Sequence, residues 1–161
     1  MLQYRFSSRC GGYFNKPQET LDSIRNLWFH TGDLGRFDAE GFLRFEGRSK
    51  ELIRRGGEMI SPVEIELAAL KHPNIADCAA VGIADPILEE EIKLVVVSRG
   101  NCDPWEIASF LFRALPRNKV PRYIEFADVI PKTPTQKIQR FRLTKLSPQS
   151  IDLRPVAKLP D

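Results

Sequence analysis

Two short apolar runs constrain this chain most: CAAVGI at 78–83 and IKLVVV at 92–97. Each is bounded by turn residues and reads as a buried strand. A helix start stands on either side of the pair. In the first, Ser61 is placed to cap, Pro62 sits where its missing N–H is harmless, and Glu64 is placed to reach back to the N–H of the capping residue. Val63, Leu67 and Leu70 are expected to share the apolar face of this helix, which stops by His72 because Pro73 disfavours helical geometry before it. Asp103, Pro104 and Glu106 repeat the capping logic, and Ile107, Phe110, Leu111 and Ala114 form an apolar stripe up to Pro116. YIEF at 123–126 is a candidate third strand, and QRFRLTKL at 139–146 a candidate closing helix.

Ahead of this block, GFLRFEGR (41–48) and KELIRR (50–55) alternate in character as the strands of a hairpin do, with Gly41 and Gly47 at the expected turns. Residues 1–27 show little periodicity, and GGYFNKPQET (11–20) reads as a turn. The tail from Ser147, with Pro148, Pro155 and Pro160, is expected to be irregular. Of 161 residues, 42% are hydrophobic and 28% charged, enough apolar material for a modest core, so disorder is not the expectation. A net charge of +3 falls short of a nucleic-acid footprint, and no nucleic-acid partner is expected. Cys10, Cys78 and Cys102 form no CxxC pair and no metal-like spacing with histidine, which favours a reducing compartment and no metal site. No run is long enough to cross a membrane and MLQYRFSSRC lacks a signal-peptide core, so the expected location is the cytoplasm.

Three stretches carry candidate chemistry: WFHTGDLG at 28–35, GRSKELIRRGGEMISPVEIE at 47–66 and PKTPTQKIQR at 131–140. Singly they are weak signals. In this order, over about Gly12 to Leu146, they resemble the carboxyl-terminal third of the adenylate-forming superfamily, which contains acyl-CoA synthetases, luciferases and the adenylation domains of peptide synthetases. The wording RGGE is most similar to the fatty-acyl and carnitine-type CoA ligases. The resemblance implies an α+β fold, a small mixed sheet flanked by helices, preceded by a hairpin-containing remnant of the large amino-terminal domain. Residues 1–49 would end that large domain, 50–146 would form the carboxyl-terminal domain, and 147–161 the tail.

The implied roles fall on specific residues. Adenylation brings a carboxylate against the α-phosphate of ATP, so positive charge is needed where negative charge builds, and a compact ammonium can bridge both oxygens. Lys137 matches the family's catalytic lysine. Asp33 matches the carboxylate that accepts the ribose hydroxyls, and Arg48 the arginine facing the nucleotide. Lys50 aligns with the hinge about which the small domain swings. Gly56, Gly57 and Glu58 match the loop bordering the tunnel for the pantetheine arm of CoA, where a bare backbone permits close approach. Arg54, Arg55, Arg117, Lys119 and Arg122 are basic residues available to the phosphates of CoA. The family carries glycine just before its lysine, and Gln136 stands there; a residue with a Cβ takes positive φ at higher cost.

The implied activity is that of an ATP-dependent acyl-CoA ligase: carboxylate and ATP give acyl-adenylate and pyrophosphate, then CoA gives the thioester and AMP. Its substrates would be ATP with Mg2+, CoA and a carboxylic acid, and its partner the complementary amino-terminal adenylating domain. The upstream phosphate-binding loop and acyl pocket are not among these residues, so the chain is expected to be inactive alone. Two other readings stay open: a stand-alone module that binds CoA or nucleotide without catalysis, and a peptide-synthetase-like adenylation fragment. Without the motifs, Lys137 reads as a surface lysine, Asp33 as a turn aspartate, Arg48 as a hairpin arginine and the glycines as a left-handed turn between strand and helix. Phe6, Tyr13, Phe14 and Trp28 are expected to form an apolar patch that favours self-association.

Overall fold

A computed structural model describes residues 1–5 and 11–154; Phe6, Cys10, Pro155 and Pro160 lie outside the described residues. The chain divides into two units, Met1–Lys50 and Glu51–Asp161. In the first, strands β1 (Gln3–Tyr4), β2 (Ile24–Arg25) and β3 (Trp28–His30) form an antiparallel sheet in the order β1-β3-β2, and helix α1 (Pro17–Ser23) precedes β2. Strands β4 (Asp33–Phe37) and β5 (Leu43–Arg48) form a separate antiparallel pair. Its turn is built by Asp38, whose Oδ1 accepts the backbone N–H groups of Glu40 and Phe42 while Gly41 takes φ 85°. Those backbone bonds, that from Phe42 above all, hold the Asp38 carboxyl below its usual range.

Sequence alternation pairs 41–48 with 50–55, but β5 pairs with β4 instead. Gly47 is not at a turn. It lies inside β5 with φ 130°, beside a register shift at Leu34/Gly35, which is the place a strand glycine takes at an irregularity. Among the described residues of this unit Gly47 alone is buried, while Phe14 is 91% and Phe37 71% exposed and Tyr13 and Trp28 are also open. Burial this sparse leaves the unit little hydrophobic stabilisation of its own.

The second unit is α+β. Strands β6 (Ile53–Arg55) and β7 (Glu58–Ile60) make a tight hairpin, followed by helix α2 (Pro62–Ala69), the long strands β8 (Ile75–Asp85) and β9 (Glu89–Ser98), helix α3 (Pro104–Ala114), strand β10 (Tyr123–Phe126) and strand β11 (Ile151–Asp152). They join in one mixed six-stranded sheet: β9 runs antiparallel to β8, parallel to β10 and meets β6 at Arg55↔Glu89. The buried strands expected at 78–83 and 92–97 are the centres of β8 and β9. Side chains of β9 alternate in the manner of any strand. Ile92, Leu94 and Val96 enter the main core with Ile65, Ala69, Ile107 and Leu111 of the helices, whereas Val95 joins Ala79 and Ile130 on the other face. Ile138 and Leu143 pack on that second cluster, so the segment around Lys137 is the cover of one sheet face.

Four expectations are corrected by the structure. Asp103 caps α3 through the Trp105 N–H, but Ser61 makes no side-chain cap bond on α2 and Glu64 instead holds the Lys119 ammonium at 2.8 Å. On α2 the buried side is Pro62, Ile65, Glu66 and Ala69, with Leu67 60% and Leu70 45% exposed; the helix has apolar residues on both sides, and Glu66 turns inward because Arg140 and the Ala80 N–H await its carboxylate. The closing helix at 139–146 shrinks to one 3-10 turn, Arg140–Arg142, and the chain beyond it is held by the buried Lys93 ammonium, which donates to the Lys145 carbonyl at 2.6 Å. The tail from Ser147, expected to be irregular, instead contributes strand β11, which pairs antiparallel with β10, and buries Leu153 in the main core, because β10 offers it a free edge.

Truncating the inward residue, Ile65→Ala, is expected to lower unfolding stability by about 2–5 kcal/mol. The outward Leu67→Ser change stays within about 0.5 kcal/mol. Urea denaturation of both variants checks the assignment of the faces.

Candidate functional site

Asp33 and Arg48 end opposite strands of the β4–β5 pair and are register partners, so the fold brings these two candidates together: Arg48 Nε lies 3.1 Å from Asp33 Oδ1. Gly32, at φ 76°, turns the chain just before Asp33, and its carbonyl accepts the Ser49 N–H at 2.9 Å. Thr31 Oγ1 accepts the Asp33 N–H at 3.0 Å. The chain beside both ends of the Asp33–Arg48 rung is therefore held, by the Thr31 hydroxyl at Asp33 and by the Gly32–Ser49 backbone bond next to Arg48. Lys50 is exposed and is the last residue of the first unit.

Gly56 and Gly57 are the two-residue loop of the β6–β7 hairpin, with φ 58° and 81°. Positive φ at both central residues is what a tight hairpin turn of this hand requires, and glycine meets it without steric cost. The turn joins two strands rather than a strand and a helix. Space is not the constraint: a Cβ on Gly57 would meet nothing within 4 Å, and one on Gly56 only Leu88 Cδ2 at 3.5 Å. The surface over both glycines is open. Beneath it, Arg55 reaches Glu91 by Nε at 2.8 Å and the Asn118 carbonyl by Nη1 at 2.7 Å, while Glu58 accepts the Asn118 side-chain amide. The hairpin is thus tied to the turn at Arg117–Lys119.

Lys137 stands on a second tight loop. Residues 132 and 138 form an antiparallel bridge, the Thr133 N–H donates to the Lys137 carbonyl at 2.8 Å, and the Gln136 N–H closes a turn onto the Thr133 carbonyl at 2.9 Å. Gln136 itself has φ 63°. A turn followed by a left-handed residue is the usual three-residue hairpin loop, and that residue is usually glycine. Gln136 adopts the glycine conformation all the same. Thr133 Oγ1 accepts the Lys137 N–H at 3.1 Å, which clasps the loop at the lysine. The Lys137 side chain is exposed, and among the described residues no carboxylate pairs with its ammonium, whereas the neighbouring Lys132 is bound by Asp77.

Two buried charge networks were not legible in the sequence. Glu91, 4% exposed, bonds Arg55 and faces Arg122 at 3.7 Å, and Arg122 also meets Asp85 at 3.0 Å and Asp152 at 3.4 Å. Burial works against the Arg122 charge, and the Asp152 carboxylate outweighs it, leaving the pKa above its ordinary value. Of the five basic residues considered for phosphates, Arg55, Lys119 and Arg122 are therefore compensated within the chain, and Arg117 stacks over Phe112 at 5.3 Å. The other network centres on Arg140, which forms a two-pronged pair with Glu66, donates to the Ala80 carbonyl at 3.0 Å and reaches Glu51 at 3.0 Å. Burial, with Glu66 and Asp77 nearby, pushes the Cys78 thiol up to about 12, so this cysteine is inert. The one available signal was charge inside apolar text: Glu91 and Lys93 in EEEIKLVVV and Glu66 in PVEIELAAL need partners when the strand and helix are buried.

Residues 64–137 match the AMP-binding enzyme C-terminal domain. The chain belongs to the adenylate-forming superfamily, whose carboxyl-terminal domain it carries. It is 43% identical over 131 residues to a probable CoA ligase of Humulus lupulus, covering 80% of this chain and 25% of that protein. It is 41% identical over 139 residues to the sulfoacetate–CoA ligase of Cupriavidus necator, covering 84% and 27%. The o-succinylbenzoate CoA synthetase of Bacillus subtilis, solved with its acyl-adenylate intermediate, superposes with a TM-score of 0.79 at 31% identity, over 85% of this chain and 28% of that one. The chain thus spans about a quarter of the length of the curated relatives it matches. Among the described residues no helix is long and apolar enough to cross a membrane, and no group of His, Cys, Asp and Glu is arranged to hold a metal ion.

Placing a Cβ in the left-handed turn, Gly56→Ala or Gly57→Ala, is expected to cost about 1–2 kcal/mol of stability each. The reverse change, Gln136→Gly, is expected to add up to about 1 kcal/mol, since the gain at positive φ is partly offset by glycine's larger unfolded-state entropy. Urea unfolding midpoints of the three variants test both signs.

Proposed function

We propose that this chain is the mobile carboxyl-terminal part of an ATP-dependent acid–thiol ligase, with CoA as the thiol acceptor and Lys137 as the residue that serves adenylation. The observation that carries the reading is the Lys137 loop: a clasped hairpin presents one uncompensated ammonium to solvent within the segment 64–137 that matches the domain. Bringing a carboxylate to the α-phosphate of ATP sets two anions against each other. An ammonium held between them lowers that repulsion and follows the charge as the new C–O–P linkage forms and pyrophosphate leaves. Rigidity of the loop matters because a misplaced charge loses most of this benefit.

Asp33 and Arg48 would hold the nucleotide. A vicinal diol needs a carboxylate of fixed orientation, and the Arg48 guanidinium supplies that orientation by occupying one oxygen of Asp33. The bare hairpin at Gly56 and Gly57, with Glu58 beside it, would border the pantetheine arm of CoA in the second step. Lys50, at the end of the first unit, would absorb the rotation that exchanges the lysine loop for the glycine hairpin at the reacting carbonyl. Mg2+ would arrive with ATP and is assigned no ligand from this chain. The acids named for the relatives differ from one protein to the next, and none of the residues described here is assigned to acid selection.

The test combines this chain with the complementary amino-terminal portion, ATP, CoA and a panel of carboxylic acids. Lys137→Ala is expected to reduce pyrophosphate exchange by about 100-fold or more while thioester formation from a supplied acyl-adenylate stays within a few-fold of the parent. Equal loss in both steps, or in neither, contradicts the assignment. Binding of CoA or nucleotide with no adenylate formed by the folded complex would favour the non-catalytic module.

A further inference from the structure

Two motif carboxylates to which no chemistry has been assigned, Glu51 and Glu66, meet at the guanidinium of a third such residue, Arg140. Arg140 lies three positions beyond Lys137, 14% exposed at its side chain, and its donors go to three separate segments. Nη1 and Nη2 form the fork onto Glu66 of α2, Nη1 also donates to the Ala80 carbonyl of β8, and Nε donates to Glu51, the first residue of the second unit. Glu66 in turn accepts the Ala80 N–H at 2.8 Å, so helix, strand and arginine close one buried cluster. Burial alone would favour loss of the charge, and the two carboxylates keep it. Satisfying Glu66 requires only the fork. The Nε bond to Glu51, whose carboxylate is 39% exposed, is an additional tie that burial does not demand.

From this the geometry points to Arg140 as a positioning residue for Lys137: it fastens the lysine hairpin to the residue that follows Lys50, so that rotation at the unit boundary carries Lys137 as part of a rigid body. This rests on the adenylation reading of Lys137. The hairpin's backbone bonds are short-range, all among 131–139; beyond them Lys132 is tied to Asp77 of β8 and Ile138 packs on the small cluster with Ala79 and Val95, and neither tie reaches the start of the unit. Arg140 is the charged link from this hairpin to the start of the unit. Arginine suits the task because its planar fork fixes direction, which a lysine ammonium at the same place does not.

The experiment compares the chain with Arg140→Lys and Glu51→Gln. Amide hydrogen exchange is read at Thr133, Gln136 and Lys137, whose N–H groups are the hairpin's internal donors. Exchange at these amides is expected to quicken about tenfold in Arg140→Lys and about threefold in Glu51→Gln, with amides of the β8–β9 pair unchanged within about twofold. In the reassembled enzyme Arg140→Lys then lowers kcat of adenylation while KM for ATP and the thioester step hold. Unchanged hairpin exchange in both variants, or an equal rise at the β8–β9 pair, overturns the proposal. So does a parent adenylation rate in Arg140→Lys when Lys137→Ala abolishes it. If Lys137→Ala leaves adenylation intact, the proposed role of the lysine fails, and the exchange comparison still decides whether Arg140 holds the loop.

Discussion

Strand β9 has no face to give to water, and much of the second unit follows from covering it. Ile92, Leu94 and Val96 require the helices α2 and α3 on one side. Val95 requires Ile130 and Ile138 on the other. The second cover is the segment that carries Lys137, so the same apolar demand that builds the sheet also holds the candidate catalytic loop against it. An alternating strand with one wet face would have left that loop without an apolar anchor.

Charge then fixes what apolar packing leaves free to slide. Lys93, 1% exposed, pairs with Glu125 and takes the Lys145 carbonyl, which draws the chain after the lysine loop across the sheet. Arg55, Glu91 and Arg122 join the glycine hairpin to β9 and to the start of β10. Arg140 joins α2, β8 and Glu51. Buried ion pairs of this kind are weak contributors to net stability against an apolar substitute, but removal of one partner strands a charge. Their value here is direction: each sets the placement of a loop rather than adding bulk to the core.

The strong local signals were legible in the sequence. The apolar runs gave β8 and β9, Asp103 gave the capped start of α3, and the ordered motifs gave the family. Errors came where a longer-range partner decided the outcome. Leu67 and Leu70 looked inward until the pairing of Glu66 with Arg140 turned the helix the other way. The helix at 139–146 had the right composition, but only the turn Arg140–Arg142 forms, with Arg140 drawn to Glu66 and the Lys145 carbonyl to Lys93. Gly47 read as a turn because alternation alone does not reveal which strand is the partner; β5 pairs with β4. Of the candidate site, the Asp33–Arg48 rung is a register fact that only strand pairing could supply. Gln136 is the instructive case: its side chain argued against positive φ, and the closed turn onto Thr133 holds it there.

The central claim is that the Lys137 ammonium meets the reacting groups. It is tested most directly by observing the lysine ammonium signals by NMR in the complex of this chain with its complementary amino-terminal portion, before and after adding a non-hydrolysable acyl-adenylate analogue. The account requires the Lys137 signal to shift while that of Lys132, already bound to Asp77, stays in place. A Lys137 signal unmoved by a saturating analogue would contradict it.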